Sequence, residues 1–184
     1  MRVIAGVARS MPLAAPAGLD TRPTTDRIKE TLFNMLQNEI PGCVFVDFFS
    51  GSGAIGIEAL SRGAHKAYFI ENAPKAANCI RENLIFTKLQ DHAILLKQDA
   101  CAAVGSISEK EVDVIFMDPP YGQDLEKNVL SLLSGARYVT SDTLIIVETA
   151  INENISSFED LGYDIVKIKK YKTNQHVFLR LNTK

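Results

Sequence analysis

The segment from Asp118 to Tyr121 (DPPY) joins a carboxylate, two prolines and an aromatic ring directly after an apolar run, VDVIFM. Proline fixes φ and has no N–H group, so this segment offers hydrogen-bond acceptors with few competing donors. The Asp118 carboxylate and the Pro119 carbonyl can both accept hydrogen bonds from an amino group, and the Tyr121 ring offers a surface on which a base can stack. We therefore predict a catalytic loop made of Asp118, Pro119, Pro120 and Tyr121. The plain alternative is a proline-rich turn that ends a strand.

These groups suit the methylation of an exocyclic amino nitrogen. The lone pair of such a nitrogen is delocalised into its aromatic ring, so the nitrogen attacks an electrophilic methyl group poorly. Two acceptors that hold both N–H bonds draw the nitrogen toward tetrahedral geometry and aim its lone pair at the methyl group. Asp118 can take the proton late, once the nitrogen carries positive charge. A base must be unpaired to reach the loop, so exposed nucleotides, such as those of RNA loops, are the expected substrate.

A glycine-rich turn upstream, in VDFFSGSGAIGIEA, indicates a nucleoside-bearing cofactor. Gly51, Gly53 and Gly56 fall where the first predicted strand passes into a helix, and glycine there lets the backbone approach a ligand closely. Glu71 follows Gly51 by 20 residues, at the end of the second predicted strand, where it can accept hydrogen bonds from ribose hydroxyls.

Two cofactors fit this turn. The run GSGAIG matches the dinucleotide fingerprint of an NAD-dependent dehydrogenase. Asp47, however, lies at the end of the first strand, where a carboxylate attracts the sulfonium and amino groups of S-adenosylmethionine and repels a pyrophosphate. The 184 residues also leave little chain for the substrate region of a dehydrogenase. We therefore favour S-adenosylmethionine as the cofactor and methyl transfer as the reaction.

Asp99 is predicted to lie beside the same crevice, at the end of the third strand, and to accept a hydrogen bond from the adenine amino group. An aspartate in such a loop is otherwise a helix cap. The predicted cofactor-binding residues are Asp47, Ser50, Gly51, Gly53, Glu71, Asp99 and Ala100. This chemistry requires no metal, and the three cysteines and three histidines are too scattered to suggest a metal site.

Short runs rich in Val, Ile and Phe alternate with helical segments, which is typical of a parallel sheet buried on both faces. Strands are predicted at 44–48, 67–71, 93–97, 112–117, 143–148, 164–170 and 176–181. Helices are predicted at 24–38, 54–62, 73–88, 124–134 and 153–161, with Pro74 in a first turn. The last two strands are too close for a helix between them, so they should pair as an antiparallel hairpin. The predicted fold is α/β: a Rossmann-like, seven-stranded, mainly parallel sheet with helices on both faces and a C-terminal antiparallel hairpin.

The chain has the usual size of one domain, so we predict a single domain over 1–184, in which 1–40 forms a basic segment and a helix able to contact RNA. The net charge of −2 conceals an asymmetry: +3 over 1–29, +5 over 163–184 and −10 over the remainder. Such basic ends are either phosphate-binding surfaces or solvated tails. No apolar run approaches the roughly 20 residues of a membrane-spanning helix. A monomeric, cytoplasmic protein without membrane contact is expected.

Four segments together resemble the RsmD-type methyltransferases, a family of class I S-adenosylmethionine-dependent enzymes. They are TRPTTDR at 21–27, the IKETLFNML that follows, FSGSGAIGIEALSRGA and DPPY. Members of that family methylate the exocyclic N2 amino group of a guanine in bacterial 16S ribosomal RNA. DPPY is shared with DNA adenine-N6 and protein glutamine methyltransferases, so these activities stay open, as does a non-catalytic RNA-binding module.

The resemblance implies roles for particular residues. Asp47, Gly51, Gly53, Glu71 and Asp99 would hold S-adenosylmethionine, and Asp118 through Tyr121 would handle the guanine. Arg22, Thr24 and Arg27 would lie near the site and bind substrate. The implied partner is 16S ribosomal RNA, free or within a partly assembled small subunit.

The basic residues also permit other interpretations. Thr24 or Thr25 is predicted to cap a helix, and Arg22 and Arg27 either contact phosphate or pair with neighbouring acids. The segment between Gly6 and Pro16 carries only one basic residue, where the family often has several. A C-terminal cluster can compensate for this; its members are Lys167, Lys169, Lys170 and Lys172.

Overall fold

Seven strands join into one sheet in the computed structural model, which describes residues 1–16 and 25–182. The strands are β1 (Val44–Phe48), β2 (Lys66–Ile70), β3 (Ala93–Leu96), β4 (Val114–Met117), β5 (Leu144–Ala150), β6 (Tyr163–Lys170) and β7 (Asn174–Leu181). The helices are α1 (Asp26–Met35), α2 (Ala54–Ser61), α3 (Pro74–Thr87), α4 (Ala100–Val104), α5 (Leu125–Leu133) and α6 (Ser157–Asp160), with a short 3-10 helix at Gln90–His92. Helix and strand therefore alternate as far as β5, as the apolar runs predict.

The strand order is β3-β2-β1-β4-β5-β7-β6, with β1 to β5 parallel and β7 antiparallel to both of its neighbours. The chain runs outward from β1 to β3 and then returns to β4 on the other side of β1. The order therefore reverses between β1 and β4, which makes the carboxyl ends of these two strands a topological switch point. The predicted Rossmann-like sheet with its C-terminal hairpin is confirmed.

Helices cover both faces of this sheet. Side chains alternate along each strand, so Phe45 joins one buried cluster while its neighbour Val46 joins the other. Phe33 of α1 and Ile57 of α2 pack in the first cluster, and Leu130 of α5 packs in the second. Strands buried on both faces explain why the sequence shows continuous apolar runs rather than alternation.

The N-terminal segment packs against α2 around one buried carboxylate. Glu58 accepts hydrogen bonds from the backbone N–H groups of Ile4 at 2.8 Å and Ala5 at 3.0 Å. It also pairs with Lys29 of α1 at 3.2 Å and with Arg62 at 2.8 Å. Burial lowers the pKa of Lys29, and the charge of Glu58 opposes that effect. These contacts fix α1 against the helix that begins at the glycine turn.

The helices differ from the prediction in three places. Within the described residues α1 begins at Asp26 rather than at residue 24, which lies outside them. The helix predicted at 153–161 is reduced to α6, because Asn154 bonds the backbone N–H of Ser156 and turns the chain first. The five-residue α4 was not predicted, since so short a helix shows no clear 3.6-residue period.

Two smaller expectations concern the cysteines and the membrane. Cys43 and Cys79 are buried free thiols, whereas Cys101 is partly exposed. Among the helices that the structure describes, none has the length and apolar character that spanning a membrane requires.

Candidate functional site

The glycine turn between β1 and α2 is tied to the end of β2 by two side chains. Glu71 accepts hydrogen bonds from the backbone N–H groups of Gly51 at 2.9 Å and Ala73 at 2.8 Å. The Ser50 hydroxyl accepts from the last N–H of β2 at 3.0 Å and donates to the Asp47 carbonyl at 2.6 Å. The structure thus brings four predicted cofactor residues together: Asp47, Ser50, Gly51 and Glu71.

The backbone of this turn leaves room for a ligand. Gly51 and Gly53 have φ of +56° and +78°, a region that favours glycine. No atom lies within 4 Å of the position that a Cβ at Gly51 would occupy, so this side of the turn is open. Phe49, just before it, has φ of +61°, and strain of this kind is common at ligand sites. Gly56 serves packing instead, because a Cβ there would lie 2.4 Å from the Phe69 ring.

Asp47 lies beneath the turn rather than on its surface. Its side chain is buried, and Oδ2 accepts the backbone N–H of Gly56 at 3.1 Å. Burial, opposed by the hydrogen bond from Gly56 and assisted by the nearby Glu71 carboxylate, raises the pKa of this carboxyl to about 8. Asp47 therefore holds the first turn of α2 against β1, and a cation bound above the turn would favour its ionised form.

The DPPY segment follows β4, beside β1, so it lies at the same switch point. Asp118 is half-buried and Tyr121 is 50% exposed. No donor among the described residues hydrogen-bonds the Asp118 carboxylate or the Pro119 carbonyl. Both groups are therefore available as acceptors for an amino group.

Three carboxylates lie close enough to influence one another here. The pKa of Asp118 is raised well above its usual value, mainly by burial and then by the charges of Glu148 and Asp47. Like charges in a partly buried site oppose one another's ionisation and are relieved by a cation. The site is thus suited to a positively charged ligand and to donor groups.

Glu148, at the end of β5, supports Tyr121 from below. Its buried carboxylate lies 3.2 Å from the Tyr121 hydroxyl, which donates to Oε1. The side-chain amide of Asn174 donates to the same oxygen, and Nε2 of His176 lies 2.9 Å from Oε2. The Tyr171 hydroxyl lies 3.3 Å from Nδ1 of His176. A hydrogen on Nε2 satisfies both contacts of this ring.

Sequence reasoning missed Glu148, Asn174 and His176. They lie on β5 and β7, and the antiparallel register places Glu148 opposite His176. No short motif contains them, because 26 residues or more separate the partners along the chain. One signal was present: the run TLIIVE ends in an acid, as does the run AYFIE that ends in Glu71.

Asp99 caps α4, which was the alternative role considered for it. Its Oδ1 accepts the backbone N–H groups of Cys101 at 2.9 Å and Ala102 at 3.4 Å. The Oδ2 atom takes no part in the cap. Ala100 is the buried first residue of the helix. Both residues follow β3, so they lie at the same edge of the sheet as the glycine turn.

The basic residues predicted near the site are only partly described. Arg22 and Thr24 lie outside the described residues. Thr25 caps α1, since its hydroxyl accepts the backbone N–H of Ile28 at 3.3 Å. Arg27 is exposed on the first turn of α1. Asp26, a possible partner for it, pairs instead with Arg2 at 3.1 Å.

One acidic group elsewhere has metal-like spacing, although the sequence predicts no metal site. It comprises Asp124, Glu126 and Glu153 near the start of α5. The Lys127 ammonium lies 2.5 Å from Asp124 and 3.8 Å from Glu153, so a cation of the chain already balances this charge. We assign no metal to it.

The chain is similar to proteins described as methyltransferases. A family profile described as "Conserved hypothetical protein 95" matches residues 1–180. "Putative rRNA methyltransferase YlbH" of Bacillus subtilis is 39% identical over 150 residues, which are 80% of this chain and 82% of that protein. "Ribosomal RNA small subunit methyltransferase D" of Haemophilus influenzae is 38% identical over 153 residues, 81% of this chain and 78% of that protein. The solved structure "Putative methyltransferase yhhF from Escherichia coli" superposes with a TM-score of 0.83 at 28% identity, covering 100% of this chain and 99% of that one.

Proposed function

The chain belongs to the family described as conserved hypothetical protein 95, the RsmD-type family, and on that basis we propose that it methylates ribosomal RNA of the small subunit with S-adenosylmethionine. The proposed target is the exocyclic N2 amino group of a guanine in 16S ribosomal RNA. The names of the relatives support the substrate class, and the acceptor chemistry of the DPPY segment supports an amino group as the target.

One observation carries the proposal: two acceptors to which no described residue donates a hydrogen bond lie at the switch point beside an open glycine turn. The Asp118 carboxylate and the Pro119 carbonyl can hold the two N–H bonds of one amino group. The Tyr121 ring, fixed by Glu148, offers a stacking surface for the base that bears the amino group.

The residues present fit S-adenosylmethionine. The open side of Gly51 allows close approach, Glu71 and the free Oδ2 of Asp99 are acceptors for hydroxyl and amino groups, and the carboxylates favour a cation. When bound, S-adenosylmethionine would supply an electrophilic methyl group on a positively charged sulfur; the methyl–sulfur bond would break as the N–C bond forms, and the sulfur would leave as a neutral thioether. We propose that Asp47, Ser50, Gly51, Gly53, Glu71, Asp99 and Ala100 form this site.

The catalytic loop acts by position first and by proton transfer second. Asp118 and Pro119 orient the amino nitrogen so that its lone pair, rather than the ring, forms the new N–C bond. The nitrogen becomes positively charged as that bond forms, and one of its protons passes to an Asp118 oxygen. The raised pKa of Asp118 makes it a better proton acceptor than an exposed carboxylate. Pro120 keeps the loop rigid between these groups.

Transfer of a tritiated methyl group from S-adenosylmethionine tests the proposal directly. The full chain is incubated separately with partly assembled small subunits, free 16S ribosomal RNA, DNA and protein. We expect label in ribosomal RNA, and nuclease digestion followed by mass spectrometry should recover N2-methylguanosine. Label in DNA adenine or in protein glutamine would replace the proposal with one of the other reactions served by DPPY. Binding of RNA without any methyl transfer would indicate a non-catalytic module.

A further inference from the structure

A groove of about 480 Å³ separates the start of α1 from the turn between β6 and β7. Thr25, Arg27 and Thr31 line it from α1, and residues 169–174 line it from the turn. These two segments belong to opposite ends of the chain. The groove is where the basic N-terminal and C-terminal regions of the sequence meet.

Positive charge in this groove is not neutralised by the rest of the described chain. Its lining contains four cations: Arg27, Lys169, Lys170 and Lys172. None of these four forms an ion pair with a carboxylate in residues 1–16 or 25–182. Of the nearby acids, Asp26 is engaged by Arg2, and Glu148 is buried behind Asn174. The groove therefore attracts anions.

The groove adjoins the catalytic loop through direct side-chain contacts. Asn174, at its inner end, donates to the Glu148 carboxylate that also holds the Tyr121 hydroxyl. Tyr171, in its wall, contacts His176, which bonds the other oxygen of Glu148. Two side chains, Asn174 and Glu148, therefore connect the groove to the Tyr121 ring, which is proposed to stack on the target base.

We propose that this groove binds the sugar–phosphate backbone of single-stranded RNA next to the target nucleotide. Lysine and arginine side chains together with threonine hydroxyls are the groups that contact phosphates, and such contacts position a strand without reading its bases. Among the described residues that line the groove, Tyr171 is the one aromatic side chain, so this surface does not fit a series of stacked bases. The proposal rests on the proposed function for the identity of the strand as RNA.

The test replaces Lys169, Lys170 and Lys172 together by Gln and measures binding of a 12-nucleotide single-stranded RNA of mixed sequence. If each lysine neutralises one phosphate, Kd should rise about 50-fold at 0.15 M salt. The slope of log Kd against log salt should fall by about 2. Arg27→Gln, on the opposite wall, should also raise the Kd for RNA. Because Arg27 lies outside the β6–β7 hairpin, this rise could not be attributed to a misfolded hairpin.

A matched control removes three cations from the other edge of the sheet. Lys88, Lys110 and Arg137 are exposed and precede β3, β4 and β5, so they lie at the amino ends of these strands. The variant Lys88→Gln, Lys110→Gln, Arg137→Gln has the same net charge as the groove variant. It should bind the RNA with a Kd within about threefold of the unsubstituted protein, because nonspecific charge effects weaken with distance.

Two outcomes overturn the proposal: equal weakening by the two triple variants, or no weakening by the groove variants. Methyl transfer is read separately. The groove variant should raise KM for RNA and leave both kcat and S-adenosylmethionine binding near their original values. If no substrate is methylated, the proposed function fails, while the RNA-binding comparison still decides the role of the groove.

Discussion

The folded chain by itself disfavours the ionised form of two carboxyl groups at the site. Asp47 and Asp118 both have raised pKa values, chiefly because burial removes water and secondarily because other carboxylates are near. A bound cation would reverse this penalty, since it favours the ionised form. Proton binding, cofactor binding and folding are therefore linked through the same few oxygens.

Replacing Asp118 separates its two proposed roles. Asp118→Ala removes both the acceptor and the base, so kcat should fall about 1,000-fold or more. Asp118→Asn keeps one acceptor oxygen and should lose only about 100-fold. Single-turnover methyl transfer measures the rates, and calorimetry should show S-adenosylmethionine binding nearly intact. Activity retained in the Ala variant would remove Asp118 from contact with the reacting base.

Replacing Asp47 should change how stability depends on pH. Because its folded-state pKa is about 8 against a usual 3.8, its stabilising contribution is full below the usual value and is lost as the pH rises toward 8. The free energy of unfolding should fall over that window by up to about 1.4 kcal/mol per pH unit. Asp47→Asn should flatten this slope while still accepting the Gly56 N–H.

Urea unfolding at pH 5, 7 and 9 measures the effect. Asp91→Asn serves as the control, because Asp91 is exposed and lies in the short 3-10 helix that precedes β3. Affinity for S-adenosylmethionine should rise with pH less steeply in Asp47→Asn than in Asp91→Asn, because only the latter keeps both carboxyls whose pKa is raised. Identical pH profiles for the Asp47 variant and the unsubstituted chain would contradict this account.

Among the secondary structure elements, α1 and α2 depend on a buried ion pair. Lys29 and Glu58 are fully buried, and Glu58 also accepts two backbone N–H groups of the N-terminal segment. Removing one partner of such a pair leaves the other as an uncompensated buried charge. The glycine turn begins α2, so this pair also supports the position of the candidate site.

Glu58→Ala should lower the free energy of unfolding by about 3–5 kcal/mol. Arg62→Ala, which removes the more exposed partner of the same carboxylate, should cost only about 1 kcal/mol. Urea titrations of both variants measure these values. A small loss for Glu58→Ala would mean that Lys29 reaches water or another acceptor when its partner is removed.

Much of this element structure could be predicted from the sequence, because strands buried on both faces appear as apolar runs. The runs VFVDF and VDVIFM indicate β1 and β4, and glycines and prolines show where each strand ends. The candidate loop from Asp118 to Tyr121 could be proposed from the sequence because its residues are contiguous. Glu148, Asn174 and His176 were not found, since their meeting depends on the register of β7 against β5. Asp99 could not be distinguished from a cap by sequence alone.

The molecule as a whole separates charge by position. The central region carries −10 and holds the acidic site, while the two basic ends of the chain converge beside it. The sequence shows the basic ends but cannot show that they are neighbours, because about 140 residues lie between α1 and the β6–β7 turn. A negatively charged pocket beside a positively charged groove suits a cationic cofactor and a polyanionic substrate.

Local stability should follow position in the sheet. β4 is wholly buried at the centre, whereas β3 and β6 are the edge strands and are partly exposed. Amide hydrogen exchange should therefore be slowest in β1, β4 and β5 and much faster in β3 and β6. Equal protection of edge and central strands would indicate that the two halves of the sheet open together.

The last strand along the chain is inserted between two earlier ones, with β7 lying between β5 and β6. During synthesis, β6 therefore emerges from the ribosome before β7, the strand that joins it to the sheet. Glu148 cannot contact Asn174 and His176 until these residues have been synthesised. The nascent protein can form its glycine turn long before it can fix Tyr121. Completion of the candidate site is thus delayed until residues 174–181 have left the ribosome, and a prematurely terminated product that lacks them would lack the Asn174 and His176 contacts to Glu148.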